Sequence, residues 1–559
     1  MNKFLVTLFF LLLLSFEAGA ATQYICASAA GAGDGSSLAN CKAAGTNFAS
    51  ITVGASDVLR ICSKIRGTLT ITSTNNVAVD LDCNGEASGE ITGADVVTSF
   101  AAADVNGEYA TTATFTTPTW VMVDGVALRE GSKGSLADNE WSFNSSKVWL
   151  GSSPEGKTVE IAVRGIGIEF ASSTGAAVIG GRIYGVRYLS AGAAVKFYDS
   201  SGSLTGTEFY AVSKPSDARG GSTMTVTGTT TNYCIDGPDA NKDTSRPTLV
   251  VNDNSVMNCN YSGWFAQTVT SHAIAADGEA IACTNCAAIS GRGNVIKYAK
   301  NGIVTLVETA AVQNWVGNYI EDTDDDGLNI GCTSTAGSID LDITGNVVLN
   351  AGKSGGYGVT SYAIDVVNNT CGNGSAILVA NNTVVDSSQG IRITGAASQT
   401  GTIGHYNNAY IKVNPMAATG THYFINWANM AASHSMTIAS NKNDYYQTTG
   451  AGAFRWISGS AARTYANYSL YLSDSSQDAA SILTDPAFLG GSSPTTAEGF
   501  KLKPSSPLCG AGTPTDAKYD YEGYRFGIPP NIGAFARCER RETFTDRTIF
   551  TDRTTYVDR

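Results

Sequence analysis

Between residues 294 and 408 the apolar positions come in short runs, and each run follows a paired Gly-Asn or Asn-Asn. The junctions are Gly293-Asn294-Val295-Ile296, Gly317-Asn318-Tyr319-Ile320, Gly345-Asn346-Val347-Val348, Asn381-Asn382-Thr383-Val384 and Asn407-Asn408-Ala409-Tyr410. Successive second Asn residues lie 24, 28, 36 and 26 positions apart. A second apolar element lies inside the units, at Gly302-Ile303-Val304, Gly327 to Ile330, Gly358-Val359 and Gly390 to Ile393. A third precedes the next junction, at Val312 to Val316, Ile339 to Ile343 and Ala376 to Val379. Three short strands per turn of about two dozen residues predict an all-β solenoid, the parallel β-helix. Insertions between units then fall in loops on the coil flank, where ligands commonly bind.

Outside this stretch the pattern is less regular. Residues 21–180 are read as a β-rich start that includes paired strands at Glu140 to Phe143 and Lys147 to Leu150. Coils occupy 181–415, clearest from about 290. An aromatic-rich region and a C-terminal cap fill 416–540, the cap at 482–538. Residues 541–559 repeat Phe-Thr-Asp-Arg, Phe-Thr-Asp-Arg and Tyr-Val-Asp-Arg at a six-residue period. Extended, that tail puts Phe544, Phe550 and Tyr556 on one face with Arg547, Arg553 and Arg559 on the other. It is expected to dock on a sheet edge of a cell surface or of other copies of the chain.

Composition supports the strands. Sixty-one Gly and few Pro suit many tight turns, and a net charge of −13 disfavours nucleic acid and anionic membranes. Lys3, the apolar run Phe4 to Leu14 and Ala18-Gly19-Ala20 read as a secretory signal, 1–20, cut after Ala20. No other run reaches the roughly 18 apolar residues of a membrane span. The expected location is therefore secreted, extracellular or at the cell surface. Twelve cysteines then point to disulfides. Their order suggests local pairs, Cys26 with Cys41, Cys62 with Cys83, Cys234 with Cys259, Cys332 with Cys371 and Cys509 with Cys538, with Cys283 and Cys286 closing a loop. Order alone does not fix the connectivity.

A resemblance adds to this reading. Tyr24-Ile25 with Gly33-Asp34-Gly35-Ser36-Ser37, the strands from Trp141 to Leu150, and the Asn-centred coils resemble secreted right-handed parallel β-helix proteins of the pectin-lyase-like superfamily. So do Phe500-Lys-Leu-Lys-Pro504, Asp520 to Arg525 and Asn531-Ile532-Gly533-Ala534-Phe535 near the C-terminus. The resemblance implies a right-handed coil and an extracellular polysaccharide partner, and it leaves the activity open, because that superfamily holds lyases, hydrolases, epimerases, adhesins and tailspikes.

The repeated Asn294, Asn318, Asn346, Asn382 and Asn408 are read as a structural stack that closes the coils. The chemistry is sought in the run Glu321-Asp322-Thr323-Asp324-Asp325-Asp326-Gly327. Asp322, Asp324, Asp325 and Asp326 are hard oxygen donors suited to Ca²⁺. Lys297 and Glu321 hold equivalent places after their junction Asn residues, as do Lys300 and Asp324, so each pair is expected on adjacent coils roughly 4.8 Å apart. A uronate lyase needs a cation on the sugar carboxylate and a base at the neighbouring carbon. Arg292, Lys297, Lys300 and Arg392 are the candidate bases. A glycoside hydrolase needs two carboxyls, for which Asp325, Asp326 and one of Asp340, Asp342 or Asp365 are available. The lyase is the leading enzyme expectation and the hydrolase the weaker one. The alternative to catalysis is a non-catalytic surface protein, an adhesin, spike or matrix component attached through its tail.

Overall fold

The computed structural model describes residues 21–538 apart from 189–191, 244, 260–277, 309–310, 333–336, 353–360, 369–370, 396–398, 414–422, 429–434, 448–452 and 459–460. The signal segment 1–20, the tail 541–559 and the Gly358-Val359 element lie outside the described residues.

Among the described residues, three long sheets of fourteen, twelve and thirteen strands, here sheets I, II and III, wrap one elongated core. One coil contributes Ala288–Arg292 to sheet I, Val295–Ala299 to sheet II and Asn301–Val307 to sheet III. The next contributes Ala311–Val316, Tyr319–Thr323 and Leu328–Cys332, each parallel to its predecessor. This is the right-handed parallel β-helix, with the three-strand unit expected from the repeat. Coil strands also lie on both sides of 181–415, from Thr22–Cys26 in sheet I to Asp444–Tyr446 in sheet II. The early coils escape the Asn pattern because their turns close differently, for example through Gly206-Thr207 and Gly228-Thr229.

The period-two alternation of each strand sends one set of side chains inward. In sheet III the inward file is Ile281, Ile303, Leu328, Ile364, Ile391 and Ile425, all buried in the core. Each such side chain contributes about 1.5–3 kcal/mol by leaving water. In sheet I, Trp315 stands beside Gly291, where a Cβ would lie 2.6 Å from the indole, so the core there requires Gly.

The asparagines close the coils between sheets I and II. Each Oδ1 accepts both the backbone N–H and the side-chain Nδ2 of the preceding Asn, and the Nδ2–Oδ1 links measure 2.9–3.1 Å. Each Nδ2 also donates to a core carbonyl, as Asn346 does to Trp315 at 2.8 Å. The ladder extends the predicted five residues by Asn254 and Asn443. Its preceding residue is always left-handed, with φ of 64° at Gly293 and 57° at Asn381, which is why Gly or Asn recurs there. Asp253 and Lys442 take the same conformation, and that broke the Gly-Asn signature at the two added rungs.

Residues 94–162 form an insertion of two small four-stranded sheets. The expected hairpin pairs Trp141 with Leu150 and Phe143 with Val148, over a cluster that includes Val121, Val159 and Ile161. At the far end of the helix, an antiparallel pair Ala453–Ser458 and Ala461–Tyr465 meets the short helix Tyr468–Ser475. Tyr410 stacks on Tyr445 and Phe454 on Tyr471, Tyr445 meets Phe454 edge to face, and the four rings close the core there. Segment 482–538 instead runs back over the outer face of sheet II, setting Phe488, Phe500, Leu502 and Phe535 against Tyr319, Val347, Val385 and Ile411. All twelve cysteines are paired, in the six local pairs suggested by their order. Among the described residues no helix is long and apolar enough to cross a membrane.

Candidate functional site on sheet III

The outward side chains of sheet III form a charged file. In register it reads Asp217, Asp239, Ala282, Val304, Asn329, Asp365, Arg392, Asn426 and Arg455. The centre of interest is where the Asp run meets this file. Asp325 and Asp326 end the turn that enters Leu328–Cys332, and Gly327 lets the chain pass the next coil. A Cβ at Gly327 would lie 2.5 Å from the Ala363 carbonyl oxygen. That close approach aims Asp326 at the following turn, where it accepts from the Tyr362 backbone N–H at 2.6 Å and from Asn329 Nδ2 at 2.9 Å. Asp325 accepts from Ser361 Oγ at 2.7 Å. Asp365, one coil on, accepts from Arg392 Nε at 2.8 Å and from its NH2 group. Arg392 also covers the Tyr362 ring at 4.6 Å, and the Tyr362 hydroxyl accepts from Asn426 Nδ2 at 2.7 Å.

The electrostatics differ within this cluster. Burial pushes the Asp326 carboxyl well above the usual carboxylate range, and the charges of Asp365 and Asp325 push the same way. Burial also raises Asp365, but Arg392 opposes it. Asp365 in turn outweighs the burial of Arg392 and holds the guanidinium charged. The cluster thus combines a carboxyl pushed toward its protonated form with two carboxyl neighbours, one of them paired with a cation. Asp326 is 6% exposed and Asp365 fully buried, whereas Asp325 is half-buried and the Arg392 side chain 30% exposed.

The sequence-derived bases do not gather here as a set. Arg292 lies on sheet I opposite Asn252 and Val316. Lys297 lies on sheet II, opposite Glu321 in the expected register, 2.7 Å from its carboxylate and over the Tyr319 ring. Lys300 sits in the turn between sheets II and III, where its carbonyl accepts from the Asp325 N–H at 2.8 Å. Arg392 alone of the four stands on the sheet III face beside the acids. Among the hydrolase partners, Asp340 and Asp342 lie on sheet I, and only Asp365 joins Asp325 and Asp326. Burial and Asp340 push Asp342 up to about 6, away from this cluster.

Of the residues proposed for Ca²⁺, Asp322, Asp325 and Asp326 each have a hydrogen-bond donor on the next coil. Asp322 accepts from Asn350 Nδ2 at 2.9 Å, while Asp325 and Asp326 turn to separate donors on the next coil. Among the described residues no three His, Cys, Asp or Glu side chains are grouped to hold a metal.

A second cluster on the same face escaped the sequence. Lys214 lies 3.4 Å from Asp236 and also pairs with Asp239, and Arg219 meets Asp217 at 2.7 Å. Burial and Asp239 push Asp217 up to about 6. Its only signal was the spacing of these charges within the irregular early coils.

No protein-family model and no curated protein matches the chain. Among solved structures, that of XylC in complex with xylose superposes over 92% of this chain and 98% of its own, at 10% identity and a TM-score of 0.52. The fold shared with it is the parallel β-helix. The crystal structure of the pectate lyase Pel9A aligns over 93% of this chain and 98% of its own, at 12% identity and a TM-score of 0.35.

Proposed function

We propose that the protein is exported and acts on extracellular polysaccharide by hydrolysis, on the outer face of sheet III. One observation carries this reading: Asp326, pushed toward its protonated form, stands beside Asp325 and Asp365 across two successive coils. Neighbouring carboxyls with separated proton affinities are what glycosidic cleavage requires. Asp326 donates its proton to the leaving glycosidic oxygen. Asp325, the more exposed acid, takes a proton from the attacking water, so one water is split across the broken bond. Arg392 pairs with Asp365, opposing the effect of its burial, and gives the sugar a donor on the same face. The exported state is supported by six disulfides, which persist in oxidising compartments.

β-Elimination has less support. Its base must be free of charge, yet Asp365 keeps Arg392 protonated and Lys297 is engaged by Glu321. A panel of neutral and uronate polysaccharides tests both readings, with new reducing ends and ultraviolet absorbance of unsaturated ends read together. The expected result is reducing ends without unsaturation, and a loss of about 10²-fold or more in Asp326→Asn. Unsaturated products would replace hydrolysis by elimination, and full activity in Asp326→Asn would move the site elsewhere.

A further inference from the structure

A cleft of about 400 Å³ opens between the insertion and the first coils, away from the sheet III cluster. Its floor is the outer face of sheet II, where Lys64, Glu90 and Arg182 are register neighbours on successive coils. Its roof is the insertion, through Glu160 and the hairpin turn at Asp124-Gly125. The turn is fixed, because Asp124 Oδ1 accepts from the Thr158 N–H at 2.8 Å.

The lining is built rather than incidental. Glu160 is 2% exposed, and it accepts from Lys64 Nζ at 2.9 Å, an Arg66 terminal nitrogen at 2.6 Å and the Tyr184 hydroxyl at 3.1 Å. Burial raises its proton affinity, but these two cations outweigh burial and keep it ionised. Arg182 lies over the rings of Tyr184 and Tyr210 at 5.2 and 4.7 Å. Glu208 lies 3.3 Å from its buried Nε and Glu90 3.8 Å from one terminal nitrogen, and the terminal nitrogens of this partly exposed side chain make no hydrogen bond among the described residues. Donor capacity therefore remains on a guanidinium already held flat by two aromatic rings.

We infer that this cleft is a second, non-catalytic binding site for a neutral sugar unit, with Arg182 as its principal donor. The volume is at the lower end of small-molecule sites and suits one or two sugar rings. Vicinal hydroxyls ask for acceptors and donors side by side, which Glu90 and Asp124 supply opposite Lys64 and Arg182. An anionic sugar is disfavoured, because its carboxylate would meet Glu90, Asp124 and Glu160 in the same small space. The cleft's last floor strand belongs to a coil five rungs from Asp326 along sheet III, about 24 Å at strand spacing. The site therefore neither contains nor needs the proposed catalytic residues.

Calorimetric titration of the full mature chain with glucose, xylose and their β-1,4-linked disaccharides, and with galacturonate, tests the assignment. A neutral sugar is expected to saturate one site in both the parent and Asp326→Asn. Arg182→Ala and the milder Glu90→Gln are each expected to weaken it, Arg182→Ala by tenfold or more, with circular dichroism confirming that both fold. Absence of saturable binding to any neutral probe overturns the inference. So does unchanged affinity in both cleft variants, or preferential binding of galacturonate. Binding lost in Asp326→Asn alone would assign the sugar to sheet III and overturn it too. A hydrolytically inactive parent that still binds through Arg182 would sink only the hydrolase reading.

Discussion

The outer face of sheet II has two ends of opposite character. At the start, its outward file is Lys64, Glu90, Arg182 and Glu208, and the neighbouring file carries Arg66, Thr92, Tyr184 and Tyr210. Later, the same two files become Val295, Tyr319, Val347 and Thr383, and Lys297, Glu321, Leu349 and Val385. The backbone geometry is the same at both ends, so the difference lies in what each face demands. The charged end stays open to solvent and forms a cleft with the insertion. The apolar end requires cover, and the C-terminal segment provides it with Phe488, Phe500, Leu502 and Phe535. A solenoid face is thus a neutral template, and its side-chain files decide whether it becomes a site or a seam.

This contrast is broken most directly at the apolar end. Phe500→Ala is expected to cost about 3–5 kcal/mol, because the ring is fully buried between segment and sheet. Urea unfolding measures it, and a loss below 1 kcal/mol would mean that the segment merely rests on sheet II. The equivalent truncation at the charged end, Tyr210→Ala, should cost less, since that ring is only half-buried.

The ladder bordering sheet II gives an effect of similar size. Asn346→Ala leaves the Asn318 side chain and N–H and the Trp315 carbonyl without their partner, at about 1–3 kcal/mol for each group left unsatisfied. Asn346→Asp should not rescue it, because the carboxylate lacks the two N–H donors of the amide.

Acid titration separates the cleft from the sheet III cluster. Glu160 has a folded proton affinity below its unfolded value near 4.5. Its stabilisation is therefore present above that value and is lost as pH falls through the lower folded one. Asp326 is raised, so its favourable contribution is complete below its unfolded value of 3.8 and disappears as pH rises through the folded one. Glu160→Gln should flatten the acid limb of the stability profile. Asp326→Asn should leave that limb intact and raise stability at neutral pH. If both variants moved the same limb, the assigned directions would be wrong.

The smallest effects belong to exposed pairs and to calcium. Lys297→Ala removes one partly exposed ion pair and should change stability by about 0–1 kcal/mol. With Asp322, Asp325 and Asp326 each bound to a donor of its own, the Asp322–Asp326 run should give the same Ca²⁺ heats in the parent and in a chain with Asp324→Ala and Asp326→Ala. A saturating heat lost in that variant would establish the calcium reading.

Much of the architecture was legible along the chain. Gly-Asn junctions marked the turns, since a left-handed residue must precede each ladder Asn and Gly or Asn adopts that conformation cheaply. Equal offsets from those junctions placed Lys297 opposite Glu321. The site was legible only as a list. Arg392, Asp325, Asp326 and Asp365 were all named, but mixed with Arg292, Asp340 and Asp342, which point from another sheet. Tyr362, Ser361 and Asn426 carried no signal of their own, because an ordinary residue becomes a partner here only by register.

What the sequence determined by itself was therefore whatever is local or periodic: the three-strand unit, the stacked asparagines and the alternation that separates core from surface. These follow from backbone conformation and from contacts within one or two coils. Tertiary structure decided which polar side chains share a face and where the C-terminal segment lies. Turn lengths vary between coils, so residues some 25 to 40 positions apart meet only once the coils are stacked. The C-terminal segment has no period at all, and its place depends on an apolar surface that exists only after sheet II has formed.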